Sequence, residues 1–166
     1  MRDCVRAAIP ADLSRVAEIL VFAKRAAYRP IFRDDASSFG DLQVLPLARE
    51  YQDGARSLAD TLVLDDGVVK GVLTRRFGGD RAELCELYVE PCFQGCGVGR
   101  ALLTAFLTEA TARGCNAASL WVIAANVRAV GFYERFGFAP TGESRLVEGT
   151  SVPELRLSAA LPPPAP

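Results

Sequence analysis

Three glycines alternate in Gln94-Gly95-Cys96-Gly97-Val98-Gly99-Arg100, and the stretch runs directly into the apolar Ala101-Leu102-Leu103. It follows an extended segment and opens a helix. The first N–H groups of a helix have no partner inside it, and that end carries partial positive charge. Glycines ahead of it let the backbone approach an anion closely and adopt dihedrals closed to other residues. The combination makes a phosphate site, to which Gln94 and Arg100 can add side-chain donors. Two nucleotide loops are excluded by the residues that follow. A dinucleotide fingerprint needs a third glycine where Arg100 stands, and a triphosphate loop needs a Gly-Lys-Ser/Thr triplet that does not follow.

The rest of the reactive inventory is narrow. Among 166 residues there is no histidine, so a His base, a His–Ser pair and a His-ligated zinc are all ruled out. Acid–base work falls to Glu, Asp, Tyr, Cys, Lys or water. The five cysteines, at 4, 85, 92, 96 and 115, form no even framework and read as reduced thiols. Cys92 and Cys96 lack a second pair to complete a zinc site, so no metal is expected. Cys96 sits where a helix N-terminus favours the thiolate, but its backbone N–H is the more useful group there. Net charge is −1 and no basic stripe of the kind that grips nucleic acid stands out. No run of ~18 apolar residues predicts a membrane span, and the first residues lack the apolar core of a leader. The expectation is a cytoplasmic protein that binds neither nucleic acid nor membrane.

Periodicity supplies the elements that must position the turn. Val5 to Ala8 predicts a short strand. Leu13, Val16, Ala17 and Leu20 recur at helical spacing after Asp12, whose carboxylate suits a helix start. Pro30 is expected to end that helix, Arg33 to Gly40 to loop, and Leu45 to Leu58 to form a second helix. Thr61–Leu64 and Val68–Arg75 flank Asp65-Asp66-Gly67, a strong hairpin signal. Phe77-Gly78-Gly79-Asp80 predicts the next turn, and Arg81 to Val89 a strand stopped by Pro91.

A helix over Gly97–Arg113 follows, with Leu103, Phe106, Leu107 and Ala110 on one face and Gly114 as its stop. Ala118–Ile123 reads as a buried strand. Asn126 caps a helix with an Ala129, Phe132, Tyr133 and Phe136 stripe, ended by Gly137. Phe138 starts another extended segment, and Val152–Leu157 is the last strand. The order is mixed α/β, of the α+β kind. It predicts one domain over residues 1–160 and a disordered proline-rich tail over 161–166.

The phosphate-loop class that remains holds the pyrophosphate of coenzyme A, and here the chain resembles the GNAT superfamily of N-acetyltransferases. Gln94-Gly95-Cys96-Gly97-Val98-Gly99 matches the family's Gln/Arg-x-x-Gly-x-Gly/Ala pattern. Leu87-Tyr88-Val89-Glu90-Pro91 is similar to the end of its preceding strand. Asn126, Ala129, Phe132, Tyr133, Gly137 and Phe138 match its second block in order. The first part of the chain resembles the family only in its helix-then-hairpin outline.

The resemblance implies a central mixed, mostly antiparallel twisted sheet, flanked by helices, whose fourth and fifth strands splay apart. It implies acetyl-CoA as co-substrate, direct attack by a primary amine of a small molecule or peptide in a ternary complex, and often a homodimer. Leu87, Tyr88 and Val89 would pair with the pantetheine arm, Gln94 to Arg100 would hold the pyrophosphate, and Asn126, Phe132 and Tyr133 would complete the donor side. The Val89 N–H would serve the thioester oxygen and Tyr133 the departing thiolate.

For the general base, Glu83 lies six residues before Val89 and so on its face of the strand. Glu86 is the rival, on the opposite face unless a bulge inverts the parity. Tyr28, Arg29, Phe32, Asp34 and Asp35 fall where the family walls its acceptor pocket, and they equally suit a solvated loop. The alternative reading is a catalytically silent CoA-binding or regulatory module on the same fold.

Overall fold

The computed structural model describes residues 4–33 and 43–163. Four helices and seven strands occur among them: β1 (Val5–Ala7), α1 (Leu13–Phe32), α2 (Val44–Gln52), β2 (Thr61–Asp65), β3 (Val69–Gly78), β4 (Arg81–Val89), α3 (Val98–Ala112), β5 (Ala117–Ile123), α4 (Val127–Glu134), β6 (Ala139–Leu146) and β7 (Pro153–Ala160). The strands form one sheet in the order β1-β2-β3-β4-β5-β7-β6. β4 runs parallel to β5, whereas β1–β2, β2–β3, β5–β7 and β6–β7 are antiparallel. The chain divides into two compact units. One takes Met1–Thr74 and Glu86–Ala105, the other Arg75–Cys85 and Phe106–Pro166.

In the first unit α1 buries Leu13, Val16, Ala17 and Leu20, as their spacing predicts, together with Ile19, Val21 and Ala23. Leu47, Ala48 and Tyr51 of α2 and Val63, Val69 and Val72 of the β2–β3 hairpin complete this core. Pro30 does not end α1, contrary to expectation. The helix runs on to Phe32 and stops at Arg33, whose left-handed backbone (φ 53) returns an N–H to the Arg29 carbonyl at 3.0 Å. Proline costs a helix its bond to residue i−4. Here Pro30 and Ala26 are both exposed, so water can serve the Ala26 carbonyl. The second helix is shorter than expected: α2 ends at Gln52, and Gly54 follows with φ 77, a conformation that closes helices.

Gly71 fixes the closest approach in this unit. A Cβ there would lie 2.6 Å from Val98 Cγ1, 2.9 Å from Leu102 Cδ1 and 3.2 Å from the Tyr88 carbonyl oxygen. A glycine inside a strand often marks such an approach. Its missing side chain lets the first turns of α3 lie directly on β3.

In the second unit β5 pairs with β4 over Arg81–Leu84 against Ala117–Leu120 and with β7 over its whole length. Phe106 and Ala110 of α3 are fully buried. Arg75 forks onto Glu109, with nitrogen–oxygen distances of 2.6 and 3.2 Å. Arg113 also reaches Glu109 while stacking 4.3 Å above the Phe77 ring. β6 is an edge strand whose eight residues are all exposed. β7 runs three residues beyond its predicted end, and Leu161 then donates to the Asn116 carbonyl at 2.8 Å.

Candidate functional site

The glycine turn stands where the sequence puts it. β4 ends at Val89 and Pro91–Phe93 makes one 3-10 turn. Gly95 and Gly97 follow in left-handed conformations (φ 81 and 84) before α3 begins at Val98. At Gly95 an added Cβ would meet nothing within 4 Å, so glycine is needed there for its φ rather than for room. The first α3 ladder bond runs from the Ala101 N–H to the Gly97 carbonyl at 3.0 Å. The N–H groups of Val98, Gly99 and Arg100 therefore precede the ladder. Val98 is buried against Gly71, while Gln94, Gly95, Cys96 and Arg100 are exposed. The Cys96 Sγ lies 3.8 Å from the Gln94 carbonyl.

Backbone alternation orients the strand before the turn. The Glu90 N–H donates to the Lys70 carbonyl on β3 at 3.0 Å, and the Tyr88 carbonyl oxygen also lies toward β3, beside Gly71. Successive residues of a strand point their polar groups to opposite sides. Leu87 and Val89 therefore turn theirs away from β3. The Val89 carbonyl accepts from Gln94 Nε2 at 3.4 Å, which ties the end of β4 to the turn.

α1 crosses this end of β4. Lys24 Nζ meets Glu86 Oε1 at 2.7 Å, and Arg56 reaches Glu86 Oε2 at 2.9 Å. Two residues on, the Tyr88 and Tyr28 hydroxyls lie 2.6 Å apart. Lys24 also sits 5.4 Å from the Tyr88 ring centroid, and Phe32 packs edge-on against Tyr28. Burial works against the Arg56 charge, but Glu86 and Glu50 outweigh it and hold the guanidinium above its ordinary range. Burial, then Glu86, push the Tyr51 phenol up. Asp34 and Asp35 lie outside the described residues.

The remaining predicted site residues are in the second unit. Glu83 is 38% exposed, and its carboxylate stands 3.6 Å from the largely exposed Arg76. Asn126 caps α4 by accepting from the Ala129 N–H at 3.2 Å. Tyr133 is buried, with edge-on contacts to Phe132 at 5.3 Å and Phe138 at 5.9 Å. The structure thus gathers Tyr28, Phe32, Glu86, Leu87, Tyr88, Val89 and the glycine turn in one unit, and Glu83, Asn126, Phe132 and Tyr133 in the other.

Sequence reasoning missed three residues that shape the first group: Lys24, Arg56 and Gly71. Only Gly71 had a local signal, a glycine within a strand pattern. Among the described residues no group of three or more His, Cys, Asp or Glu is placed to hold a metal ion. No described helix is long and apolar enough to cross a membrane.

The family model of the acetyltransferase (GNAT) family matches residues 16–138, and the chain belongs to that family. Mycothiol acetyltransferase of Propionibacterium freudenreichii subsp. shermanii is 47% identical over 62 residues, which are 37% of this chain and 20% of that protein. The match therefore spans well under two thirds of that relative's length. A ribosomal-protein-alanine N-acetyltransferase from Brucella melitensis shares the fold with a TM-score of 0.73 at 23% identity, over 95% of this chain and 99% of that one. The PaiA N-acetyltransferase of Thermoplasma acidophilum, solved in complex with coenzyme A, does so with a TM-score of 0.64 at 18% identity, over 94% and 97% of the two chains.

Proposed function

We propose that this chain transfers the acetyl group of acetyl-CoA to a primary amine of a small molecule or peptide. The observation that carries the proposal is the end of β4 and the start of α3. Leu87 and Val89 direct their backbone polar groups away from β3, and three helical N–H groups stand ahead of the α3 ladder behind two left-handed glycines. That donor set fits an extended amide-bearing arm joined to a pyrophosphate.

In this reading the N–H groups of Val98, Gly99 and Arg100 bind the pyrophosphate, with the Gln94 and Arg100 side chains and the backbone of Gly95, Cys96 and Gly97 beside them. Leu87, Tyr88 and Val89 hold the pantetheine arm, assisted by Asn126 and Phe132. Acetyl-CoA supplies an activated acetyl thioester. The Val89 N–H donates to the thioester oxygen, where negative charge grows as the amine attacks; a fixed donor there is a large catalytic term.

Glu83 takes the proton of the incoming ammonium, directly or through water. Its weak tether to Arg76 and its exposure leave the carboxylate able to do so. Tyr133 gives its proton to the departing thiolate. The amine gains the acetyl group, the carbon–sulfur bond breaks, and coenzyme A leaves as the thiol.

The acceptor stays at the level of a primary amine, because the similar proteins include one named for mycothiol and one named for a ribosomal protein. Incubation with acetyl-CoA and a panel of polyamines, amino acids and peptides should release free thiol with at least one amine. Tight coenzyme A binding without release on any amine would instead support a silent module. Tyr133→Phe should lower kcat by roughly 10²-fold with acetyl-CoA affinity unchanged. An unaffected rate would remove Tyr133 from its role.

A further inference from the structure

We infer that Glu86 is a positioning residue, which clamps α1 onto β4 through Lys24 and ties the segment after α2 to the same strand through Arg56, and not the base of the reaction. The inference rests on the acetyl-transfer reading above and separates two carboxylates that one strand offers to it.

Glu86 has both oxygens engaged. Oε1 takes Lys24 at 2.7 Å and Oε2 takes Arg56 at 2.9 Å. The three side chains are 14–32% exposed, so water competes weakly for the pairs. Arg56 is itself held by Glu50 at 2.7 Å, which extends the network to α2. A carboxylate fixed between two cations is poorly placed to collect a proton from a third. Glu83, on the same strand, has no such bracket among its described partners: its recorded ion pair is a 3.6 Å contact with an exposed arginine.

The clamp has a second rung, set by helix and strand geometry. Four residues of α-helix advance about 6 Å, and two residues of strand advance about 6.6 Å. Lys24 and Tyr28 on α1 therefore stay in step with Glu86 and Tyr88 on β4. The rungs are an ion pair and a hydroxyl–hydroxyl hydrogen bond of 2.6 Å. Together they fix the last turns of α1, with Phe32 on Tyr28, over the strand whose Leu87 and Val89 we assign to the thioester arm. Glu86 thus acts on the acceptor's approach through α1, without touching the reacting atoms.

Two measurements test this on the intact chain. Amide hydrogen exchange needs no acceptor. Glu86→Gln should speed exchange in Lys24–Phe32 by roughly tenfold while the middle of α3 keeps its protection, and unchanged exchange would overturn the clamp. In steady-state kinetics, run with the best amine of the panel above, Glu86→Gln should raise the amine KM roughly tenfold. It should leave saturated kcat within about threefold and keep the shape of the pH profile.

Lys24→Met, which removes a rung but no candidate base, should give the same split. A fall of 10²-fold or more in kcat for Glu86→Gln, with loss of the acidic limb of the profile and no such change in Lys24→Met, would make Glu86 the base. Absence of thiol release by the wild-type chain with every amine would overturn the acetyl-transfer reading instead, and the exchange experiment would still decide the clamp.

Discussion

α3 and α4 begin in opposite ways. α4 closes its own N-terminus: Asn126 turns its side-chain oxygen onto the Ala129 N–H, and the ladder starts at once from Val130 to the Asn126 carbonyl. α3 starts behind Gly95 and Gly97 in left-handed conformations, with the exposed Gln94 and Arg100 at the rim. A capped terminus supplies its own acceptor and contributes stability. A glycine-led terminus leaves its acceptor to a ligand and contributes binding. The same backbone feature, the N–H groups at a helix start, is put to structural use in α4, and in the function proposed above it serves a ligand in α3.

The contrast breaks most sharply at Gly97. Gly97→Asp adds a side chain where φ is 84 and places a carboxylate against the proposed pyrophosphate. Acetyl-CoA affinity, measured by calorimetry, should fall by at least about 10²-fold, roughly 2.7 kcal/mol. Next comes the support beneath that terminus. Gly71→Leu must displace Val98, Leu102 or the Tyr88 carbonyl, and overpacking of this kind costs about 1–3 kcal/mol. Thermal melting should register that loss, and acetyl-CoA affinity should fall with it.

Asn126→Ala gives the converse result. It removes the α4 cap and should cost about 1 kcal/mol of stability, read by denaturant titration, with a change in acetyl-CoA affinity of no more than a few fold. If Asn126→Ala weakened binding as much as Gly97→Asp, the distinction between the two termini would fail.

The segment that leads into α1 offers a third case, because a charge ties it down while Asp12 makes no side-chain cap to the helix itself. Asp12 accepts from Arg6 at 2.7 and 2.9 Å and from the Ile9 N–H at 2.9 Å. The Arg6 hydrogen bonds, and then the Ile9 N–H, outweigh burial and hold its carboxyl below the ordinary carboxylate range. A group whose folded pKa is depressed adds stability above its unfolded value and loses it as pH falls through the folded one. Stability should therefore decline as the pH drops below about 4, and Asp12→Asn should flatten part of that slope in melts across the acid range. The Asn126 cap, which carries no charge, should contribute nothing to it.

Local signals made most of this legible in the sequence. The glycine turn between strand and helix, the Asn126 cap and the Asp65-Asp66-Gly67 hairpin each depend on neighbours within a few residues, and the structure has all three conformations where the sequence puts them. Strand β4 runs over Arg81–Val89 as its pattern predicts. What stayed hidden depends on long-range partners. Glu86 meets Lys24 and Arg56 at sequence separations of 62 and 30, so its role could not be read from strand parity. Pro30 looked like a stop because the solvent exposure that lets α1 continue past it is a property of the folded chain. Gly71 carried its signal, a glycine within a strand, but the helix it makes room for lies in a later part of the sequence.

The proposed role of the turn at the start of α3 is to hold the pyrophosphate of coenzyme A. Comparing the affinity of the wild-type chain for acetyl-CoA and for acetyl-pantetheine, which has the arm and the thioester but no phosphates, tests it most directly. Acetyl-pantetheine should bind at least about 10²-fold more weakly, and Gly97→Asp should remove most of this difference. Equal affinity for the two ligands, or a difference that survives in Gly97→Asp, would contradict it.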